Sequence, residues 1–308
     1  MFVGAVAFMA GILGGTQAAT TSFESDPPKV CSSCEQWNAP HEPFRVFGNT
    51  YYVGVAGLSS ILIASDEGLI LLDGALPQSA PLIAANIRKL GFRVEDIRLI
   101  VNSHTHFDHT GGIAALQRAS KAIVAASPAS AVALKRGEPT KDDPQYAFGR
   151  EQTGFPVVAN LRVVGDNETL RVGRLAITAH FTPGHTPGGT TWTWRSCEKE
   201  RCADVVYADS LSSVSAPGFL FTGDEQQQSR VASFGASIAL VGGLPCDVLL
   251  SPHPYSFDLE AKLQRQRQRP LENPFVDPQA CKVYAAAAQQ RLEQRVAGEA
   301  ADTKQNLR

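Results

Sequence analysis

One short segment, residues 102–109, constrains this chain more than any other part of its sequence. It reads Asn-Ser-His-Thr-His-Phe-Asp-His and directly follows the apolar run Ile97–Val101. That run is typical of a buried strand, and the polar Asn-Ser pair that closes it marks the strand end. Candidate ligands are therefore concentrated at a strand-to-helix junction: His104, His106, Asp108 and His109.

The spacing of these ligands predicts two neighbouring metal ions. His104 and His106 can face one side of an extended segment, whereas Asp108 and His109 fall in the turn and point differently. Neutral imidazole and carboxylate ligands without thiolate suit zinc, and a position left open for water suits catalysis rather than a structural role.

Two further histidines occupy comparable positions in loops. His185 lies in Thr-Pro-Gly-His-Thr-Pro-Gly-Gly, where Pro and Gly restrict the backbone, and His253 follows the apolar run 248–251. Side chains from several strand ends can converge at such positions, so both are candidate ligands. His41 and His180 have no such setting and are interpreted as structural.

The remaining pattern predicts strands and helices in alternating groups. Apolar and β-branched runs predict strands over 46–55, 60–64, 68–73, 97–101, 122–126, 157–164, 169–172, 175–180, 190–195, 205–208 and 248–251. Helical periodicity and stop signals predict helices over 78–90, 111–119, 129–136, 228–241 and 278–297. Residues 137–156, interrupted by Pro and Gly, are expected to be irregular. The order predicts two β-rich layers flanked by helices.

The combined motifs resemble those of the metallo-β-lactamase superfamily. The resemblance covers nearly all of the chain beyond its first residues and rests on residues 68–74, 104–112, 182–189, 207–218 and 249–254. It implies an α/β fold, an αββα sandwich of two mixed β-sheets flanked by helices. It also implies two Zn²⁺ ions, one held by His104, His106 and His185 and the other by Asp108, His109 and His253.

Within the β-lactamases of this superfamily, the chain resembles the third subclass, which has His-x-His-x-Asp-His and no Cys ligand. Residues 37–38, 43–44, 48–54 and 207–211 and the Cys246/Cys281 pair add to that resemblance. It implies hydrolysis of the lactam amide of penicillins, cephalosporins and carbapenems by a zinc-bound hydroxide, and hence antibiotic resistance.

The same resemblance implies roles at the site for Asp108 and a group of serines. Asp108 would ligate a metal and also orient the nucleophile or transfer its proton. Ser210, with Ser212 or Ser215, would bind the carboxylate of the β-lactam substrate.

Other hydrolases of the superfamily, glyoxalase-like thioesterases and lactonases, stay open as alternatives, as does a non-catalytic zinc-binding module. The thioesterase branch resembles the nucleases in using an additional Asp to bridge the metals. If Asp209 takes that place, these alternatives gain weight, and if Ser210 takes it, the second carboxylate is missing. Phe221-Thr222-Gly223-Asp224 mimics the thioesterase motif but lies in a predicted loop.

The first residues predict export to the periplasm. Residues 2–15 carry no charge, and the run is too short to span a bilayer but suits a secretory signal over residues 1–18. Residues 19–308 would then form a single domain without membrane anchoring in the mature form, expected to be a monomer. The formal net charge of −2 excludes the electrostatic footprint of a nucleic-acid-binding protein.

Export would place the six cysteines in an oxidising compartment, where an even number favours disulfides. Cys197 and Cys202 bracket a polar turn and are expected to close a hairpin. A bridge between Cys246 and Cys281 would join a late helix to the body of the domain. Cys31 and Cys34 are interpreted as a small structural loop bridge.

Overall fold

The computed structural model describes Met1 and residues 23–306, and the strands of this part of the chain form two mixed sheets. The strands are β1 (Phe44–Phe47), β2 (Thr50–Tyr52), β3 (Ile61–Ser65), β4 (Gly68–Leu72), β5 (Ile97–Val101), β6 (Ile123–Ala126), β7 (Leu161–Val163), β8 (Thr169–Val172), β9 (Leu175–Phe181), β10 (Thr190–Glu198), β11 (Arg201–Tyr207) and β12 (Val248–Leu250).

Each sheet combines parallel and antiparallel pairs. The first has the order β1-β2-β3-β4-β5-β6-β7, antiparallel from β1 to β4 and parallel from β4 to β7. The second has the order β12-β11-β10-β9-β8 and is antiparallel except for the β11/β12 pair. The predicted α/β architecture with two mixed sheets is confirmed.

Helices cover the outer faces of both sheets. They are α1 (Cys34–Trp37), α2 (Ala80–Lys89), α3 (Phe107–Thr110), α4 (Ile113–Ser120), α5 (Pro128–Arg136), α6 (Arg150–Thr153), α7 (Val231–Gly243), α8 (Leu259–Gln268) and α9 (Ala280–Asn306). Buried residues of α2, α4 and α5 pack on the first sheet, and those of α7 and α9 join the core on the side of the second sheet. None of the helices in the described residues has the length and apolar character needed to cross a membrane.

Strand β4 shows why the sandwich has two apolar layers. Its side chains alternate between the two faces of the sheet. Ile70 and Leu72 join the core between the sheets, whereas Leu69 and Leu71 pack against the helices. Because both faces are covered, all four side chains are almost fully buried, and the strand is a continuous apolar run.

The single strand predicted over 46–55 is wrong, because the segment forms the hairpin β1/β2. The turn includes Gly48, whose φ of +52° lies in the left-handed region that favours glycine. A Cβ there would lie 2.6 Å from the carbonyl oxygen of Cys197, so the second sheet also requires a glycine at this position. Helix α8 was not predicted, and residues 137–156 contain one short α-helix and one 3₁₀ turn in an otherwise irregular path.

The three predicted disulfides are present: Cys31–Cys34, Cys197–Cys202 and Cys246–Cys281. The third joins the segment before β12 to α9, and the second closes the β10/β11 hairpin. The predicted signal peptide over residues 1–18 lies, apart from Met1, outside the described residues.

Candidate metal centre

Two groups of potential metal ligands meet at one edge of the sandwich, where several strands end. Segment 102–109 reaches this edge from β5 and is fixed there by bonds from β10. The indole N–H of Trp192 donates to the carbonyl of Asn102 over 2.9 Å, and the amide of Thr190 donates to the carbonyl of Ser103 over 2.8 Å. Strand β10 of the second sheet therefore positions the candidate ligands that follow strand β5 of the first sheet.

The first group consists of His104, His106 and His185. Their ring centroids lie 4.7–4.9 Å apart, and no ring is more than 5% exposed. His185 is carried by the loop between β9 and β10, in which Gly184 has a φ of +157°. A Cβ at Gly184 would lie 2.1 Å from the ring of Phe234, so only glycine allows this loop to pack on α7.

The second group consists of Asp108, His109 and His253. The Oδ2 atom of Asp108 lies 3.3 Å from Nε2 of His109 and 3.5 Å from Nε2 of His253. The rings of His104 and His109 lie only 4.4 Å apart, so the two groups are adjacent. Within each group, the ligand atoms lie within 4.8 Å of one another, which is close enough to share one ion.

Buried carboxylates orient two rings of the first group from behind. Nδ1 of His104 lies 2.8 Å from Oδ1 of Asp209, and Nε2 of His106 lies 3.1 Å from Oδ1 of Asp143. Such contacts select the tautomer and leave the opposite nitrogen for a metal. Nε2 of His104 is accordingly buried without a hydrogen-bond partner, a lone pair that a metal ion would satisfy.

Backbone carbonyls orient the two loop histidines. Nδ1 of His185 lies 2.9 Å from the carbonyl oxygen of Ser212, and Nδ1 of His253 lies 3.3 Å from that of Gly57. Because each Nδ1 then carries the proton, each Nε2 is free to bind a metal. The donor atoms therefore fit two metal ions.

Burial holds most of these rings neutral, which is the form that binds a metal. Burial, reinforced by neighbouring imidazoles, lowers the pKa of His185 to about 3 and that of His253 to about 4, and lowers the pKa of His104 well below its usual value. Burial opposes ionisation of Asp108, but His109 outweighs it and brings the pKa of this carboxyl far below its usual range.

His106 differs from the other rings. Burial again disfavours its charged form, but the adjacent Asp143 carboxylate outweighs this effect and raises the pKa of His106. Asp143 is 2% exposed and lies in segment 137–156, which the sequence indicated only as an irregular region. This contact was missed, because nothing local in the sequence connects the two residues.

The position of Asp209 bears on whether this residue could supply a carboxylate that bridges the two metal ions. Its side chain is fully buried behind His104 and belongs to neither ligand group. Ser210, the next residue, lines the cleft instead. Neither group therefore receives a second carboxylate from this segment.

A cleft of about 670 Å³ opens over both ligand groups. Ser210 and Ser212 lie on its wall together with Trp37, Gln145 and Tyr255. Ser215 is not part of this wall, and its Oγ accepts a hydrogen bond from Arg295 over 2.9 Å.

One motif and two histidines that the sequence analysis considered lie away from the ligand groups. Thr222, in the segment that mimics the thioesterase motif, is bonded through its amide and hydroxyl to Glu299 of α9. His180 contacts Thr193 and Asn167, and His41 contacts the carbonyl of Glu42. The geometry brings together the six predicted metal ligands with Ser210 and Ser212.

Comparisons with known proteins agree with this geometry. Residues 53–256 match the profile of the metallo-beta-lactamase superfamily. Among solved structures, MEM-A1, a subclass B3 metallo-beta-lactamase isolated from a soil metagenome library, is 50% identical, and the match covers 86% of this chain and 99% of that one at a TM-score of 0.82. The Rm3 metallo-beta-lactamase is 49% identical, with 88% and 99% coverage and a TM-score of 0.84.

Curated relatives are more distant. An N-acyl homoserine lactonase of Bacillus cereus is 26% identical over an alignment 153 residues long, and the match covers 41% of this chain and 54% of the lactonase. The chain thus spans about half the length of the curated relatives it matches. The profile and the solved structures show that the chain belongs to the metallo-beta-lactamase superfamily, grouped with its subclass B3 metallo-beta-lactamases.

Proposed function

We propose that this chain is a zinc-dependent β-lactamase that hydrolyses the amide bond of the β-lactam ring. The observation that carries the proposal is the set of six ligands without Cys, divided into a group of three His and a group of Asp and two His at the floor of an open cleft. Identity of 50% over 99% of a subclass B3 structure supports the same activity.

We propose zinc as the metal of both sites, because imidazole and carboxylate donors in small ligand sets suit Zn²⁺. His104, His106 and His185 would hold one ion, and Asp108, His109 and His253 the other. When bound, zinc supplies a bound water of lowered pKa and polarises the carbonyl oxygen of the substrate.

Asp108 is the residue of this chain best placed to move a proton. It lines the cleft, so its carboxylate faces the space in which a substrate and the attacking water would lie. The carboxylate can accept a proton from the attacking water and pass it toward the departing amide nitrogen.

Ser210 and Ser212 are proposed to bind the carboxylate of the lactam. Both lie on the wall of the cleft, and Oγ of Ser212 lies 3.1 Å from Nδ1 of His185, which places it beside the first ligand group. Ser215 stays a prediction from the sequence, since its hydroxyl contacts Arg295 outside the wall.

The test is turnover by the zinc-loaded protein of a penicillin, a cephalosporin and a carbapenem, the three classes that we propose as substrates. Activity is expected with zinc, lost after chelation and restored by adding zinc. His106→Ala should remove turnover at an unchanged circular dichroism spectrum, whereas the matched variant His180→Gln, outside the site, should keep it. A zinc-loaded protein inactive on all three classes would contradict the proposal.

We also propose that the protein acts in the periplasm, where it would confer antibiotic resistance, as a monomer with residues 19–308 in one domain. Three disulfides and no unpaired cysteine among the described residues support an oxidising compartment. Fractionation of expressing cells should recover activity in the periplasm, and its recovery with the cytosol would refute this location.

A further inference from the structure

The cleft over the metal ligands continues beyond them into a groove between α8 and α9. Lys262 and Arg265, three residues apart on α8, line one side of this groove. Tyr284 and Arg291, seven residues apart on α9, line the other. These spacings place each pair on one face of its helix, so both helices turn a cationic side chain toward the same space.

Lys262 is the most unusual residue of this α8–α9 groove. It is only 5% exposed, yet no hydrogen bond or ion pair of its ammonium group occurs within the described residues. Its nitrogen lies 5.9 Å from the ring centre of Phe257 and 5.7 Å from that of Phe275. Asp258 and Asp277 lower the cost of burying this charge, but neither forms an ion pair with it, so the ammonium group can still bind an anion that enters the groove.

The charges around Lys262 favour an anion. The groove also contains the side chains of Arg265 and Arg291, which are exposed and form no ion pair in the described part of the chain. Asp258 and Asp277 are the carboxylates that line it, and neither lies within 4 Å of a cation there. Three cations thus outnumber two carboxylates in a space from which bulk water is partly excluded, which strengthens attraction for an added negative charge.

Tyr255 connects this groove to the metal ligands. Its ring stacks on that of His253 at 5.1 Å, and it lines the same cleft as Lys262. A ligand held over the metal ligands can therefore extend along Tyr255 into the groove without leaving the cleft.

We propose that the α8–α9 groove binds a second anionic group, a carboxylate at the end of the side chain of a β-lactam substrate. This inference rests on the proposed β-lactamase function and adds a preference among substrates. Lys262 is the anchor, and Arg265 and Arg291 attract the anion from the rim.

The test compares two cephalosporins of equal size that differ by one charge. One carries a glutaryl side chain that ends in a carboxylate, and the other ends in the corresponding carboxamide. Lys262→Met keeps most of the apolar length of the side chain and removes its charge. It should lower the ratio of kcat/KM values, carboxylate over carboxamide, about tenfold, mainly through KM, because a hydrogen bond to a charged group is lost.

The control is the variant Lys282→Met. Lys282 is an exposed residue of α9 that does not line the cleft, so its replacement should leave the ratio of kcat/KM values as in the wild type. If Lys262→Met does not fold, Arg291→Gln replaces it, with a smaller decrease expected. A ratio unchanged in folded Lys262→Met, or unchanged in Arg291→Gln where Lys262→Met does not fold, or lowered equally by Lys282→Met, overturns the proposal.

Failure of the proposed function gives a different result, namely no turnover of either cephalosporin by the wild type. Binding of the same two compounds, followed by calorimetry on the same zinc-loaded sample, then still tests the groove. Tighter binding of the carboxylate compound that disappears in Lys262→Met supports the groove, and equal binding of the two compounds overturns it.

Discussion

Asp143 offers a sharp test of how the metal centre is built. Its Oδ1 atom accepts a hydrogen bond from Nε2 of His106 at 3.1 Å and another from the amide of Gln145 at 2.8 Å. With the proton held on Nε2, Nδ1 of His106 is available to a metal. Asp143→Ala removes the acceptor and its charge, whereas Asp143→Asn keeps an oxygen that can accept the bond.

The expected magnitude follows from the burial of this pair. Both side chains are almost fully buried, so solvent does not screen their interaction. Hydrogen bonds to charged groups contribute about 1.5–3 kcal/mol, which corresponds to roughly a 10- to 100-fold change in an equilibrium constant. Loss of the outer partner of a metal-bound histidine weakens metal binding by the same factor. Asp143→Ala should therefore weaken zinc binding at the first group 10- to 100-fold, and Asp143→Asn less.

The assay is competition for zinc against a chromophoric chelator at fixed pH. Asp142→Asn is the control, because the neighbouring Asp142 side chain is 63% exposed and pairs with Arg230 instead of a metal ligand. If Asp143→Ala binds its more weakly held zinc within twofold of the wild type, the inferred role of Asp143 in positioning His106 is refuted.

Three further predictions concern substrate binding, stability and protonation. Ser210→Ala should raise KM for a penicillin about tenfold and more than Ser215→Ala does, since Ser210 lines the cleft and Ser215 does not; equal KM values contradict this. Replacing Cys246 and Cys281, 35 residues apart, with Ser should lower the free energy of unfolding in urea by about 4 kcal/mol, and a loss below about 1 kcal/mol contradicts it. In metal-free protein, the pKa of His253 should be about 4, below the value of 6.5 in the unfolded chain. The contribution of His253 to stability is therefore complete above pH 6.5 and is lost as the pH falls toward 4. A titration midpoint of His253 above about pH 6 by NMR contradicts this.

The residues that could be predicted from the sequence are those with local signals. Segment 102–109 follows an unmistakable buried strand, the loop of His185 is marked by Pro and Gly, and the loop of His253 is marked by Pro. The candidate ligands were therefore recognised from neighbouring residues, and their division into two groups came from the resemblance. The sandwich followed from the order of strands and helices together with the resemblance.

Features that depend on distant parts of the chain could not be predicted. The hairpin at Gly48 lies inside an aromatic, β-branched run, and the carbonyl of Cys197 that crowds it is far away in sequence. Asp143 lies 37 residues from His106, in an irregular segment without periodicity. Helix α8 is rich in Arg and Gln, and its position beside Phe275 arises from the fold rather than from a strong apolar stripe.

The most direct test of the central claim compares three reactions on one zinc-loaded preparation. Values of kcat/KM are measured for benzylpenicillin, for an N-acyl homoserine lactone and for a glutathione thioester. The cleft, its serine wall and the absence of a second carboxylate from Asp209 predict that the lactam exceeds both others by at least about a hundredfold. A lactone or thioester hydrolysed as efficiently as the lactam would contradict the account.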